Sequence, residues 1–136
     1  YEKEKIGLAA EEFIFKKEIE KVKEINKKLN VEHIALTDVA AGYDILSYDD
    51  KEEKIFIEVK AISSSNFKFY LTSNELNISN ILKNKYFLYL LPKDLSNPNQ
   101  FDYDNLLKIN DIDKNIFRNK KEWQIENENY LIFKKN

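Results

Sequence analysis

The chain has 136 residues, 43% of them hydrophobic and 34% charged, with a formal net charge of −2. That length and apolar content suffice for one compact domain with one core, and the absence of cysteine excludes disulfides and thiolate zinc sites and fits a reducing cytoplasm. No run of about 18 apolar residues occurs, so neither a transmembrane span nor a membrane partner is expected.

Residues 2 to about 29 are rich in Glu and Lys, with Ile6, Ala10, Phe13, Ile14, Ile19, Val22, Ile25 and Leu29 recurring at helical spacing. The pattern predicts a long amphipathic helix with a solvated charged face. Glu11 borders its buried stripe, and Glu12 is its rival for any functional role. Residues 31–37 read as a strand. Two β-type runs at 42–47 and 55–60 then flank a turn-like stretch at 49–53, the pattern of an antiparallel hairpin. Folding it about Lys51 pairs residues whose numbers sum to 102, which sets Asp44 opposite Glu58. Alternation puts Glu58 and Lys60 on one face and Ile55, Ile57 and Val59 on the other.

A further strand is expected at 67–71, with Phe67, Phe69 and Leu71 on one face. Thr72 followed three residues later by Glu75 is a capping-box signal for a helix through about residue 83. The continuously apolar stretch 86–91 reads as a central strand buried on both faces. Residues 92–104 turn polar and read as a surface loop. Leu106-Leu107 is expected to begin a short helical turn. The runs 123–125 and 130–133 suggest a terminal hairpin around 127–129, an appendage that covers a sheet edge or binds a partner. The expected organisation is a core at 1–92 with the segment 93–136 packed on the same domain. Beginning at Tyr1 and lacking methionine, the chain is expected to be a domain of a longer protein.

The hairpin carries the chemistry. Two facing carboxylates, Asp44 and Glu58, are hard oxygen ligands suited to Mg²⁺ or Mn²⁺, and such a cation polarises a phosphoryl oxygen and acidifies a bound water. The Lys60 ammonium could orient that water or neutralise charge building on a phosphate. A plain salt bridge from Lys60 to Asp44 or Glu58 is the structural alternative, and Glu52-x-Lys54 shows that the same spacing arises by chance in a charged chain. Against chance stands the position of Glu58 and Lys60 inside an otherwise apolar strand, where an unpaired charge is costly. Lys68 is either a phosphate contact or a lysine at a solvent edge. Ser63 and Ser64 either offer donors to phosphate or form a plain loop. Tyr43, Tyr70 and Tyr89 either stack on bases or pack in the core. His33, the single histidine, is expected to be structural, and two glycines leave no glycine-rich phosphate cradle.

Four blocks carry a resemblance: Ile6-Gly7-Leu8-Ala9-Ala10-Glu11, Gly42-Tyr43-Asp44-Ile45, Ile57-Glu58-Val59-Lys60 and Phe69-Tyr70-Leu71-Thr72-Ser73-Asn74-Glu75. In order and spacing they resemble the PD-(D/E)XK, or restriction-endonuclease-like, nuclease superfamily. More narrowly, they look like the domain named after the C-terminus of the protein NO VEIN, which occurs in multidomain proteins including restriction and defence systems. The resemblance spans about residues 6 to 90. It implies an α/β fold: a mixed central sheet flanked by helices, an αβββαβ core and here a C-terminal appendage. It also implies that Asp44, Glu58 and the main-chain carbonyl of Val59 hold the metal, that Lys60 is the catalytic lysine, and that Glu11 reaches the same cavity. Tyr43 replaces the superfamily's proline before the aspartate, and Ala61 stands where the closer family often has glycine. Neither departure removes a catalytic group.

The expected function is that of a Mg²⁺-dependent endonuclease acting on DNA, with RNA left open, in a cytoplasmic restriction or antiphage defence protein. The alternative is a non-catalytic nucleic-acid- or protein-binding module on the same fold. A net charge of −2 is poorly suited to gripping DNA alone, so affinity is expected to come also from other domains of the parent protein or from a homodimer.

Overall fold

The structure is a computed structural model. It describes residues 2–93, 97, 100–126 and 131–136, with side chains from residue 4 onward. The turn expected at 127–129 and the loop residues 94–96, 98 and 99 lie outside the described residues.

Helix α1 (Glu2–Ile25) stops short of residue 29. The cause is Asn26, whose side-chain oxygen accepts the Lys28 amide at 3.0 Å and so competes with the next helical turn. The buried stripe also differs from the apolar one in the sequence. Ala10, Ile14 and Val22 are buried, but the position between them is taken by Glu18, while Ile19 is exposed. Glu18 is accommodated because it accepts the Ser47 hydroxyl at 2.7 Å and pairs with Lys21 at 2.7 Å.

A five-stranded sheet lies under α1, in the order β1-β2-β3-β5-β6. Its strands are β1 (Glu32–His33), β2 (Ile45–Tyr48), β3 (Lys54–Ser63), β5 (Tyr86–Lys93) and β6 (Leu107–Asn110). The first three form an antiparallel meander, β5 runs parallel to β3, and β6 is antiparallel to β5. Such a mixed sheet, flanked by helices, is the α/β class expected. The hairpin register is also as expected: Ile45 faces Ile57 and Leu46 faces Phe56, each pair summing to 102. Its turn is held by Asp49, whose carboxylate accepts the amides of Lys51 and Glu53 at 2.9 Å each.

Strand alternation divides the core in two. Ile55, Ile57 and Val59 pack with Tyr89 and Leu91 against α1. On the opposite face, Ile62, Leu88 and Leu90 pack against Phe69, Leu71, Ile116, Trp123 and Ile132. That layer contains α2 (Ser73–Leu82) and a second sheet, in the order β4-β8-β7, formed by β4 (Lys68–Tyr70), β7 (Trp123–Glu126) and β8 (Leu131–Lys134). The C-terminal segment thus supplies β6 to one sheet and β7 and β8 to the other. No helix among the described residues is long and apolar enough to cross a membrane.

Three expectations need correction. The strand expected at 31–37 is only two residues long, because the chain closes into a 3₁₀ turn at Ile34–Leu36, with the Thr37 and Asp38 amides both donating to the Ile34 carbonyl. The helical turn expected at Leu106-Leu107 is instead the start of an edge strand, preceded by a 3₁₀ turn at Tyr103–Asn105. The strand at 67–71, shortened to β4, joins β8 rather than the central sheet.

Gly42 controls how the hairpin meets α2. It has φ +83°, and a Cβ there would lie 2.5 Å from Ile78 Cγ1 and 3.2 Å from the Asn74 carbonyl. Its own carbonyl accepts the buried Tyr86 hydroxyl at 2.8 Å. Gly42→Ala therefore combines left-handed strain with overpacking and is expected to cost about 3 kcal/mol, read as a lowered urea midpoint at unchanged m-value.

Candidate active site

Asp44 lies one residue before β2. Its amide donates to the Ile57 carbonyl at 2.8 Å, and its carboxylate Oδ2 accepts the Val59 amide at 2.8 Å. The chain thus extends the hairpin by one residue and turns the Asp44 side chain across the β3 edge. In an extended strand the N–H and C=O of one residue point to the same edge, so the Val59 carbonyl also faces the Asp44 side, beyond the start of β2.

Glu58 and Lys60 project from β3 toward α2, as alternation requires. Lys60 Nζ lies 2.9 Å from Glu75 Oε1 and 3.3 Å from Glu58 Oε2. Glu75 is held in turn by the start of α2. Its Oε1 accepts the Thr72 amide at 3.0 Å while its own amide donates to Thr72 Oγ1 at 3.1 Å, the reciprocal capping box. The salt-bridge alternative for Lys60 is therefore present in fact, to Glu58 and to Glu75. The ammonium has three donors; one is given to Glu75, while Glu58 is paired with it as an ion.

Glu11 approaches from α1. Its carboxylate meets His33 Nε2 at 3.0 Å, and the His33 ring packs 5.2 Å from that of Phe15. The structural role expected of His33 thus has a definite form: it tethers Glu11. Glu11, Asp44, Glu58, Lys60 and Glu75 all line one cavity of about 700 Å³, and the rival Glu12 is not among its lining residues.

The electrostatics reflect four carboxyl groups around one ammonium. Burial, reinforced by the negative charge of Glu11, pushes Asp44 up from 3.8 to about 7 despite the Val59 amide bond. Burial raises Glu58 well above the usual carboxyl range; Lys60 opposes this, and Asp44 and Glu75 add to it. A protonated Glu58 can donate to the carboxylates of Asp44 and Glu75. Burial alone would pull Lys60 down, but Glu58 and Glu75 outweigh it and hold the ammonium above its ordinary value. Toward neutrality, therefore, Asp44 and Glu58 hold protons more readily than ordinary carboxyls, and Lys60 keeps its charge.

Among the described residues, no group of three His, Cys, Asp or Glu side chains is arranged to hold a metal ion. The available set is two carboxylates, Asp44 and Glu58, with a main-chain carbonyl nearby. This suits Mg²⁺, which binds through one or two carboxylates and keeps several waters.

Of the other candidates, Ser63 and Lys68 line the cavity, while Ser64 is exposed outside its lining. Tyr89 is buried in the core and Tyr43 packs edge-on against Phe56 at 5.0 Å, so both are packing residues; Tyr70 is half exposed and lines the cavity. Lys93 also lines it, although the polar stretch 92–104 is expected to be a surface loop. Its signal was its position just beyond the apolar run of β5, which becomes informative only once β5 is known to lie parallel to β3.

Glu75 has two separable tasks. Glu75→Gln keeps an acceptor for the Thr72 amide but removes the charge facing Lys60. The helix start should persist by circular dichroism and stability should change by less than about 1 kcal/mol, while any turnover that depends on Lys60 should fall.

A family model described as Protein NO VEIN, C-terminal, matches residues 10–103. No curated protein and no solved structure matches the chain.

Proposed function

The chain belongs to the NO VEIN C-terminal family, and from that premise we propose that it is a metal-dependent nuclease domain of the PD-(D/E)XK type, hydrolysing DNA phosphodiester bonds in the cytoplasm as part of a larger restriction or antiphage defence protein. The observation that carries this reading is the convergence of Asp44, Glu58 and Lys60 in one cavity, with Asp44 pushed up to about 7 and Glu58 raised by burial and mutual repulsion. A buried surplus of carboxylates destabilises a fold, and perturbed groups of this kind cluster at functional sites. Salt bridges account for Lys60, yet its single ammonium is shared by Glu58 and Glu75 and leaves the carboxyl groups of the cavity in excess.

Asp44 and Glu58, with the Val59 carbonyl, would hold Mg²⁺ or Mn²⁺. Bound there, the cation would supply Lewis-acid stabilisation of the phosphoryl oxygen and a more acidic water. The rest is work for side chains of this chain. Lys60, kept charged by Glu58 and Glu75, has a donor left to orient the attacking water or to stabilise negative charge on the phosphate. Glu75 positions Lys60, and the Val59 amide fixes the rotamer of Asp44. Glu11, tethered by His33, stands where it can accept a proton from water at the cavity wall.

Because ligands must lose their protons to bind metal, Mn²⁺ or Mg²⁺ is expected to bind more tightly at pH 8 than at pH 6, with proton release on binding that depends on Asp44. Calorimetry in two buffers of different ionisation enthalpy measures this directly. Equal affinity at both pH values would count against Asp44 and Glu58 as the ligands. The function itself is tested by nicking of supercoiled DNA, expected with Mg²⁺ or Mn²⁺ and absent in EDTA. Metal-independent DNA binding without cleavage would instead identify a binding module.

A further inference from the structure

The cavity has a second end that the hydrolytic reading does not use. Lys68 and Tyr70 alternate with the buried Phe69 on β4, so both point away from the core, and both line the cavity. They stand about 7 Å apart along the strand, on the scale of one nucleotide. Tyr70 is 50% exposed, an unusual state for an aromatic next to a core strand position. Lys93 reaches the same cavity from the end of β5, where it is in register with Ser63 of β3. Neither lysine has a carboxylate partner among the described residues, in contrast to Lys60. The carboxyl ends of the parallel strands β3 and β5 thus open onto this region, which is where open α/β sheets receive ligands.

Resting on the nuclease reading above, we propose that this end of the cavity binds an unpaired nucleotide of a single-stranded segment, its base stacked on Tyr70 and its flanking phosphates at Lys68 and Lys93. The whole cavity, carboxylate end included, is about 700 Å³, within the range of small-molecule sites. An intact duplex needs an extended basic footprint, and the lysines of this chain are instead interspersed with acids at a net charge of −2. An aromatic face with two ammonium groups recognises the backbone and any base, without reading base edges. The preferred substrate is therefore a single strand, a flap or a frayed end, with little sequence preference.

The test is fluorescence anisotropy with labelled single-stranded and duplex oligonucleotides of the same sequence, in EDTA so that no cleavage intervenes. The wild type is expected to bind the single strand more tightly. Tyr70→Ala should weaken that binding roughly 5- to 100-fold while Tyr70→Phe preserves it. Lys68→Ala and Lys93→Ala should each lower the slope of log affinity against log salt by about 0.7. Lys68 and Tyr70 are exposed and Lys93 is half-buried, and circular dichroism of each variant checks the fold. Duplex preference, or single-strand binding indifferent to Tyr70→Ala, would overturn the proposal. Either result could coexist with metal-dependent nicking, so the failure of this inference and the failure of the nuclease reading are distinguishable.

Discussion

In the absence of metal, Asp44→Asn is expected to be more stable than the wild type at pH 8 and nearly equal to it at pH 4. The carboxyl of Asp44 is raised in the fold from 3.8 to about 7, so between those values the folded chain binds more protons than the unfolded one. Stability then falls as pH rises through the window. Three units correspond to an upper figure on the order of 4 kcal/mol at pH 8. Asparagine retains an oxygen for the Val59 amide and cannot ionise, so it escapes that penalty. Urea unfolding in EDTA at pH 4, 6 and 8 measures it. Adding Mg²⁺ should reverse the order at pH 8, because only the wild type gains by binding the cation. A variant less stable than the wild type at pH 8 in EDTA would mean that Asp44 is a well-satisfied structural carboxylate.

The second large effect is expected at Lys60. Its ammonium is mostly buried and lies within 3.3 Å of two carboxylates. Because its folded pKa lies above the ordinary value of 10.5, its contribution to stability is fully present below that value and lost only as pH rises through the folded one. Lys60→Met keeps the apolar stem and removes the charge, leaving Glu58 and Glu75 facing each other. At pH 8 the loss should approach roughly 3 kcal/mol, the scale for breaking a buried pair. At pH 4 the raised carboxyl of Glu58 carries its proton, so less charge is left behind by the substitution and this part of the loss should shrink. Turnover should fall by about 10²-fold or more, as when a preorganised donor to a developing charge is removed. Denaturation at the two pH values together with a cleavage rate separates the structural role of Lys60 from the catalytic one.

What was legible in the sequence was local. The hairpin register followed from alternation about a polar turn, and it put Glu58 and Lys60 on one face of β3 because a period of two leaves little freedom. Asp44, expected opposite Glu58, instead lies just before β2, where its amide meets the Ile57 carbonyl and its carboxylate the Val59 amide. The capping box at Thr72 and Glu75 and the doubly buried β5 were equally plain. The pairings that assemble distant segments were not. Phe69 of β4 faces Ile132 of β8, and nothing in either short run names its partner. β6 was hidden because Leu106-Leu107 is too short a run to distinguish helix from strand. Glu18 occupies a core position on α1 through a bond to Ser47 that only the tertiary fold supplies. For the same reason a contact of Glu75 with the site was no more than a hint from its resemblance block, which its capping role already explained, although the oxygen that caps α2 also anchors Lys60.

The most direct test of the central claim compares wild type and Lys60→Ala on supercoiled, linear and single-stranded DNA with Mg²⁺, Mn²⁺ or EDTA. Metal-dependent cutting by the wild type, abolished in EDTA and in a folded Lys60→Ala, is the predicted result. Cutting that survives Lys60→Ala or EDTA would contradict a metal-dependent site built on Asp44, Glu58 and Lys60.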